Sequence, residues 1–353
     1  MIDRIGLVVH GGRPAAVSAA RDVRRWADER AIPCVDIDVW DSSPEGGRLS
    51  PAGEAARANN PSLIVAVGGD GTFLRGVRVA AAIDAMVLGV DVGRVGFLTE
   101  VEASDVAAAL DAVHTGQFAV DARLTLTMRA SRPLEIPTDM QVLLRYGRGP
   151  ALPPPQVRPS DATQVGWGVP LDVIALNDVV LEKLVRDRQA SLAVYVSGRF
   201  FASYSADALI VATSTGSTAY SFAAGGPIVS PHLDALIFTP VAPHMVFNRS
   251  LVLAARDQRV AVRVLERSGR VAVTLDGQLR GVLDPGDWVS VYAGPRRAKL
   301  LRLAEHDFLG RVRDRFRLAD SPAALADGST PAMYSPPEPL PPDLRHPGPP
   351  DIR

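Results

Sequence analysis

Along the first 116 residues, short apolar runs alternate with amphipathic stretches of helical period. This rhythm predicts strands over 5–10, 34–39, 63–67 and 86–90, and helices over 14–29 and 72–82. Ser104 is placed as the N-cap of a third helix that ends near His114, ahead of Gly116. Strands and helices in alternation specify an α/β domain, a parallel sheet covered by helices. From Phe118 the period falls to two, as over 124–128, 192–196, 259–264 and 270–275, which predicts an all-β antiparallel, sandwich-like domain. The organisation expected is an α/β domain over 1–117 and a β domain over 118–300, with 301–320 as a C-terminal segment packing on the core. Two stretches break the pattern. Residues 132–170 are rich in proline and read as an extended loop inserted into the β domain, and 321–353 holds ten of the 29 prolines and reads as a disordered tail.

Composition narrows the classes. A chain of 353 residues is longer than one core usually encloses, in keeping with two domains. Lys+Arg 38 against Asp+Glu 39 leaves a net charge of -1, so no global basic field draws nucleic acid or anionic membrane, and any anion must be bound locally. The single Cys34 cannot form an internal disulfide and is read as a core thiol in a reducing compartment. The N-terminus lacks the segments of a signal peptide, and no apolar run approaches the ~18 residues of a membrane span. A cytoplasmic protein with no nucleic-acid or membrane partner is expected.

Candidate chemistry centres on the apolar run 63–67, which ends abruptly at Gly68-Gly69-Asp70-Gly71-Thr72 before a helix-compatible stretch. Glycines at the junction of a buried strand and a helix N-terminus let backbone N–H groups face a phosphate, and the helix dipole adds partial positive charge. Gly68, Gly69, Gly71 and Thr72 are therefore candidate phosphate-binding residues. A carboxylate in such a cradle repels phosphate unless a cation or an acidic proton partners it. Phosphoryl transfer to an alcohol supplies both, with Asp70 accepting the hydroxyl proton and Mg²⁺ bridging the donor phosphates. No Walker A loop is present and no Gly-x-Gly-x-x-Gly follows an early strand, which sets hydride transfer aside. The six histidines have no paired i, i+4 spacing and no metal site is read from side chains, nor is there a Gly-x-Ser-x-Gly nucleophile elbow.

The loop is followed by Leu88-Gly89-Val90-Asp91-Val92-Gly93-Arg94-Val95-Gly96-Phe97-Leu98-Thr99, then Leu176-Asn177-Asp178-Val179, then a hydroxyl-rich stretch from Asp207 through Thr213-Ser214-Thr215-Gly216-Ser217-Thr218-Ala219-Tyr220 to Gly225-Gly226-Pro227. In this order the four motifs resemble the NAD kinase family over most of residues 5–318, as an actinobacterial-like member with a proline-rich insertion. The resemblance implies phosphorylation of the 2′-hydroxyl of the adenosine ribose of NAD to give NADP, with ATP or polyphosphate as donor, Mg²⁺ or another divalent cation as cofactor, and a homo-oligomer. It implies Asp70 as the proton acceptor, Gly71 and Arg75 lining the NAD phosphates, and Phe97 as a further NAD contact. Asn177 and Asp178 would hold the ribose and adenine portion, Asp207 the nicotinamide end, and Thr218, Ala219, Tyr220, Ser221, Phe222 and Ala223 an adenine-side wall. Gln278 matches another ligand contact, and Arg188 is placed by spacing after Asn177-Asp178. Asp91 stands where the family usually has Asn, Ser214 where Pro is common and Ala208 where Gly is common. The first adds a negative charge near the expected phosphate region, for which Arg94 is a counter-charge. Lipid kinases share a Gly-Gly-Asp-Gly-Thr loop, so a lipid acceptor is the alternative enzyme reading, and a non-catalytic NAD(P)-binding regulator is the third.

Overall fold

The computed structural model describes residues 2–39, 50–93, 96–138, 154–158, 168–184, 188–304 and 307–318. The chain divides into two compact units, 1–306 and 307–353.

In the first unit, β1 (Ile5–Val9), β2 (Cys34–Asp36), β3 (Leu63–Gly68) and β4 (Met86–Asp91) pair in parallel in the order β2-β1-β3-β4. Alternate residues of each strand serve opposite faces. Leu63, Val65 and Val67 pack with α1 (Pro14–Glu29) and α4 (Val106–His114), whereas Ile64 and Ala66 pack with Ala55 of α2 (Pro51–Arg57) and with Phe73 and Val77 of α3 (Asp70–Ala82). The result is a sheet between two helical layers, as the alternating pattern predicts. Two local details differ from the sequence expectation. Ser104 lies in a single 3₁₀ turn, Ala103–Asp105, and Asp105 is the N-cap of α4, without a side-chain bond. The unforeseen α2 is seven residues long and contains Gly53, so its periodic signal is weak, yet Ser50 caps it by accepting from the Gly53 N–H at 3.2 Å. Cys34 is half-buried on the first cluster, and burial pushes its thiol up to about 11.

Sheet membership does not follow the change of rhythm at residue 117. β6 (Ala119–Arg123) and β19 (Ala298–Arg302) both join the first sheet, β19 lying parallel to β4 and antiparallel to β6, while β5 (Val101–Glu102) adds to β4. The chain thus leaves the α/β layer after Arg123 and returns to it some 170 residues later, which knits the β domain into the first.

Between these strands lie two six-stranded antiparallel sheets. One runs β11 (Arg199–Ala206), β10 (Ala190–Val196), β15 (Arg259–Val264), β18 (Trp288–Ala293), β7 (Leu126–Ala130), β8 (Val169–Pro170). The other runs β14 (Leu251–Ala254), β13 (Ala235–Val241), β12 (Ala208–Thr213), β9 (Asp178–Lys183), β16 (Val271–Leu275), β17 (Gln278–Leu283). Leu192, Val194, Val262 and Val289 from the first face Val179, Leu181, Leu209 and Val211 from the second across a shared core. The ends of the proline-rich stretch are part of this sandwich. Leu134 is buried in its core, β8 extends β7, and Arg132 pairs with Asp284 and Asp287. The middle of that stretch, and the tail, lie outside the described residues. In the second unit, helix Phe308–Phe316 is capped by Asp307, which accepts from the Gly310 N–H at 2.8 Å. No helix among the described residues is long and apolar enough to cross a membrane.

Candidate functional site

The glycine loop falls where β3 meets α3. Gly69 is the N-cap of α3, no side chain caps this end, and Asp70 is the first helical residue. The glycines divide into two kinds. A Cβ on Gly68 would stand 2.4 Å from Thr72 Oγ1, so this glycine serves the close approach of loop and helix. A Cβ on Gly69 or Gly71 would meet nothing beyond its own chain neighbours and helix within 4 Å, so both border open space at the helix N-terminus. Thr72 is buried.

Asp70 does not project alone from this loop. Its carboxylate accepts from the backbone N–H groups of Phe97 and Leu98, both at 3.3 Å. Gly96 is held against it so closely that an added Cβ would lie 2.1 Å from Asp70 Oδ1. The loop that seats Asp70 is itself stapled by Asp91. That carboxylate accepts from Gly93 N at 2.7 Å, Gly96 N at 3.2 Å and Thr99 Oγ1 at 2.9 Å. The departure from Asn therefore provides a second acceptor oxygen to a buried turn rather than a loose charge beside a phosphate. Arg94 lies outside the described residues. Arg75 is buried and donates to the Val39 carbonyl at 3.2 Å.

The Asn177-Asp178 pair is set by a carboxylate from another hairpin. Asp276 and Gly277, with φ of 47° and 72°, form the two-residue turn between β16 and β17, a left-handed geometry suited to Asp-Gly. Asp276 accepts from three successive amides, Leu176 at 3.0 Å, Asn177 at 2.8 Å and Asp178 at 3.2 Å. Burial holds its carboxyl above the usual range, opposed by those amides and by Arg78. Arg78 reaches from α3 and donates to Gln278 Oε1, which ties the helix of Asp70 to the turn that aligns Asn177 and Asp178. Leu176 packs among Phe73 and Leu98 of the α/β layer, so the two motifs share one hydrophobic cluster.

Behind Asn177 runs the hydroxyl-rich stretch. Thr213 Oγ1 donates to the Leu176 carbonyl at 2.6 Å and accepts from Gly216 N at 3.0 Å, while Thr213 N donates to the Asn177 carbonyl at 2.8 Å. Gly216 leans on Asn177 so tightly that a Cβ would lie 2.1 Å from its carbonyl oxygen. Ser214 is buried and donates to the Leu233 carbonyl, a use that proline could not serve, and Ala208 sits in regular strand pairing where no glycine geometry is needed.

On β9, Val179 and Leu181 enter the sandwich core, so Asp178, Val180 and Glu182 share the other face. Asp178 is 4% exposed, and burial first, then the neighbouring Asp276, raises its carboxyl to about 7. Tyr220 stands over this face. Its phenol is pushed up by burial and by the charges of Glu182, Asp178 and Asp207. Asp207 pairs with Lys183 at 2.6 Å. Thr218 and Ala219 are half-buried and Phe222 and Ala223 exposed along the same turn, but the Ser221 hydroxyl is spent inside the fold on Thr239 at 3.0 Å. Arg188 is exposed in the β9–β10 connection and joins none of these contacts.

Sequence reasoning missed Arg78 and Asp276. The Asp276-Gly277 pair between alternating strands was the available signal for a tight hairpin turn. An arginine within an apolar helix face signals only burial, and its partner 200 residues away is a tertiary matter.

The chain matches the family model described as ATP-NAD kinase N-terminal domain over residues 5–118 and the ATP-NAD kinase C-terminal domain over 176–303. It is 61% identical over 345 residues to an NAD kinase 1 of Streptomyces coelicolor, spanning 98% of this chain and 94% of that one. An NAD kinase of Heliobacterium modesticaldum is 35% identical over 89% of this chain and 98% of its own. Among solved structures, a yeast NADH kinase complexed with NADH superposes with a TM-score of 0.70 at 19% identity, covering 91% of this chain and 89% of that chain. An NAD kinase from Archaeoglobus fulgidus in complex with ATP does so with a TM-score of 0.58 at 20% identity, over 88% and 98%. At these identities the two structures speak for the fold.

Proposed function

Since the chain belongs to the NAD kinase family and is an enzyme that phosphorylates NAD, we propose that the contacts around Asp70, Asn177–Asp178 and Thr215–Tyr220 form its reaction site, with Asp70 as the general base. What carries this assignment is that the Asp70 carboxylate is seated by two backbone amides beside an open glycine cradle. A base must be aimed before it can accept a proton, and the Phe97 and Leu98 amides aim this one. The ribose 2′-hydroxyl would give its proton to Asp70 as its oxygen attacks the γ-phosphorus, the bond from that phosphorus to the β,γ-bridging oxygen breaking so that ADP leaves, with the donor's phosphates over the α3 N-terminus. Asn177 and Asp178 would hold the ribose and adenine portion, the Thr218–Ala223 turn would wall the adenine side and Asp207 would meet the nicotinamide end, with Tyr220 and Gln278 in contact and the Ser221 side chain as internal support. Arg188 is exposed and is carried in this set only by its spacing after Asn177-Asp178. The match across both domains favours NAD over a lipid as acceptor.

Among the described residues no cluster of three or more His, Cys, Asp or Glu side chains could hold an ion. Near the glycine loop Asp70 is the protein oxygen that would be nearest a Mg²⁺ brought in on the donor's phosphates, and the ion would screen charge on the transferring group. ATP is the donor we propose, polyphosphate being the competing choice. A homo-oligomer is supported by the aromatic side chains left exposed at the β11 edge, Phe200, Phe201 and Phe247. The direct test is NADP formation from NAD, ATP and Mg²⁺ by the purified chain. NAD bound without any phosphate transfer would move the assignment to a regulator.

Two further outcomes are expected. Gly96→Ala should lower kcat about tenfold or more with little change in NAD affinity, since the new methyl forces the Asp70 carboxylate off its amides. A parental kcat in that variant would show that this seat is not needed. Next, Asp178 is mostly protonated below its value of about 7 and ionised above it. NAD affinity measured by calorimetry without ATP should therefore rise from about pH 6 to about pH 8, because the ionised carboxylate is the better acceptor for sugar hydroxyls. In the unliganded protein the sign is opposite for stability. The folded state holds this proton more tightly than the unfolded chain, so stability falls as pH rises from the usual carboxylate range to about 7. Asp178→Asn should flatten both dependences, and unchanged slopes would remove Asp178 from NAD binding.

A further inference from the structure

A second charged assembly lies behind the site and takes no part in the contacts assigned above. Arg302 of β19 donates through Nη1 to Glu100 Oε2 at 2.8 Å and to the Leu98 carbonyl at 3.3 Å, and through Nε to Asp121 Oδ2 at 3.2 Å. Asp121 also takes Arg123 Nε at 2.6 Å, and Arg123 Nη1 donates to Thr215 Oγ1 at 3.3 Å. Glu100 is fixed from its other oxygen by the Leu303 N–H at 3.2 Å. The side chains of Arg302, Glu100, Asp121 and Arg123 are 4%, 5%, 12% and 3% exposed.

Four charges in alternating order, mostly withdrawn from water, are a poor way to stabilise this part of the sheet, because each must be desolvated and apolar side chains of similar volume would pack there without that cost. The guanidinium of Arg302 is not even satisfied, since its Nη2 is buried without a partner. What the assembly supplies instead is direction. A planar fork fixes several acceptors at set angles, which an apolar contact cannot do. The acceptors are informative. Leu98 gives its carbonyl to Arg302 and its N–H to Asp70, so the peptide groups on either side of one Cα join the arginine to the base. At the far end Arg123 holds Thr215, next to the Gly216 that presses on Asn177.

We propose that Arg302 is a positioning residue for phosphoryl transfer. It fixes the loop that seats Asp70 and, through Asp121 and Arg123, the spacing between that loop and the Thr215–Tyr220 stretch. This rests on Asp70 being the general base. Its effect falls mainly on the alignment of the base, and substrate affinity changes far less.

The test is a double-mutant cycle on the full chain. Arg302→Lys keeps the charge but has one nitrogen where three acceptors need two. It should lower kcat about tenfold to a hundredfold while NAD affinity by calorimetry stays within about threefold. In the Asp70→Asn background the same change should cost less than about twofold, because there is no base left to misalign. Glu100→Gln, which loosens the fork from its acceptor side with little change in shape, should behave in the same way and keeps the test in hand should the arginine variant fail to fold. An equal kcat loss in both backgrounds, or a rise in NAD dissociation constant that accounts for the whole loss, would overturn the proposal. Near-normal activity of Asp70→Asn alone would instead remove the base assignment on which it rests.

Discussion

Replacing Asp70 with Asn should lower kcat by about 10² to 10⁴, the range a positioned general base contributes, while NAD still binds with an affinity within about tenfold of the parent. The measurement is NADP formed per enzyme under saturating NAD and ATP, with NAD binding followed separately. Asn is close to Asp in shape but cannot take the ribose proton. It also cannot accept from both the Phe97 and Leu98 amides as the carboxylate does, since one of its two terminal atoms is a donor. A modest loss of stability, about 1 kcal/mol for one hydrogen bond removed, is expected beside the loss of turnover. The two effects separate by thermal unfolding, because a loss that small cannot empty the folded state. Near-normal kcat in this variant would sink the assignment of Asp70 as base.

Gly216→Ala should be among the most damaging single methyl additions at the described glycines. The added Cβ would lie 2.1 Å from the Asn177 carbonyl oxygen and 2.5 Å from its carbonyl carbon, both backbone atoms that no rotamer change can move. Each side of the contact is pinned. Asn177 is held by Asp276 and by Thr213 N, and Gly216 by Thr213 Oγ1. Relief requires the Asn177–Asp178 segment to shift away from the hydroxyl-rich turn. We expect a loss of about 1–3 kcal/mol in stability, typical of a forced backbone adjustment, together with a fall in kcat/KM for NAD of about 10² carried mostly by KM. Thermal unfolding and steady-state kinetics check both parts. A parental melting temperature with parental KM would mean that the approach of Gly216 to Asn177 has no bearing on the site.

Both predictions concern residues already visible in the sequence, as were Asn177 and Phe97, whereas the contacts that join them were not. The glycine loop and its aspartate were legible from local chemistry, a strand that ends in glycines before a helix, whereas the Asn177-Asp178 pair and the stretch from Thr213 to Tyr220 stood out by resemblance to a family's motifs, with the polar pair and the crowded hydroxyls consistent with it. Some of their contacts are near in sequence, as Phe97 is to Asp70, but the carboxylate that holds Asn177 lies 99 positions away and the partner of Arg78 lies 200 away. Asp91 shows the consequence. Read along the chain it is a charge near an expected phosphate region, and in the fold it is the staple of the loop that seats Asp70.

Periodicity and turn chemistry determined the strands of the parallel sheet, the bounds of α1, and the change to antiparallel pairing, since side-chain alternation is a property of neighbours in sequence and survives in any context that buries one face. Tertiary structure alone decided that β19 inserts between β4 and β6, and that Arg302 thereby arrives beneath Leu98, two residues separated by 204 positions. A strand's pattern says which face it buries but not which edge it joins. That choice is settled by closure of the whole chain, and here the same closure brings the ionic fork to the loop that holds Asp70.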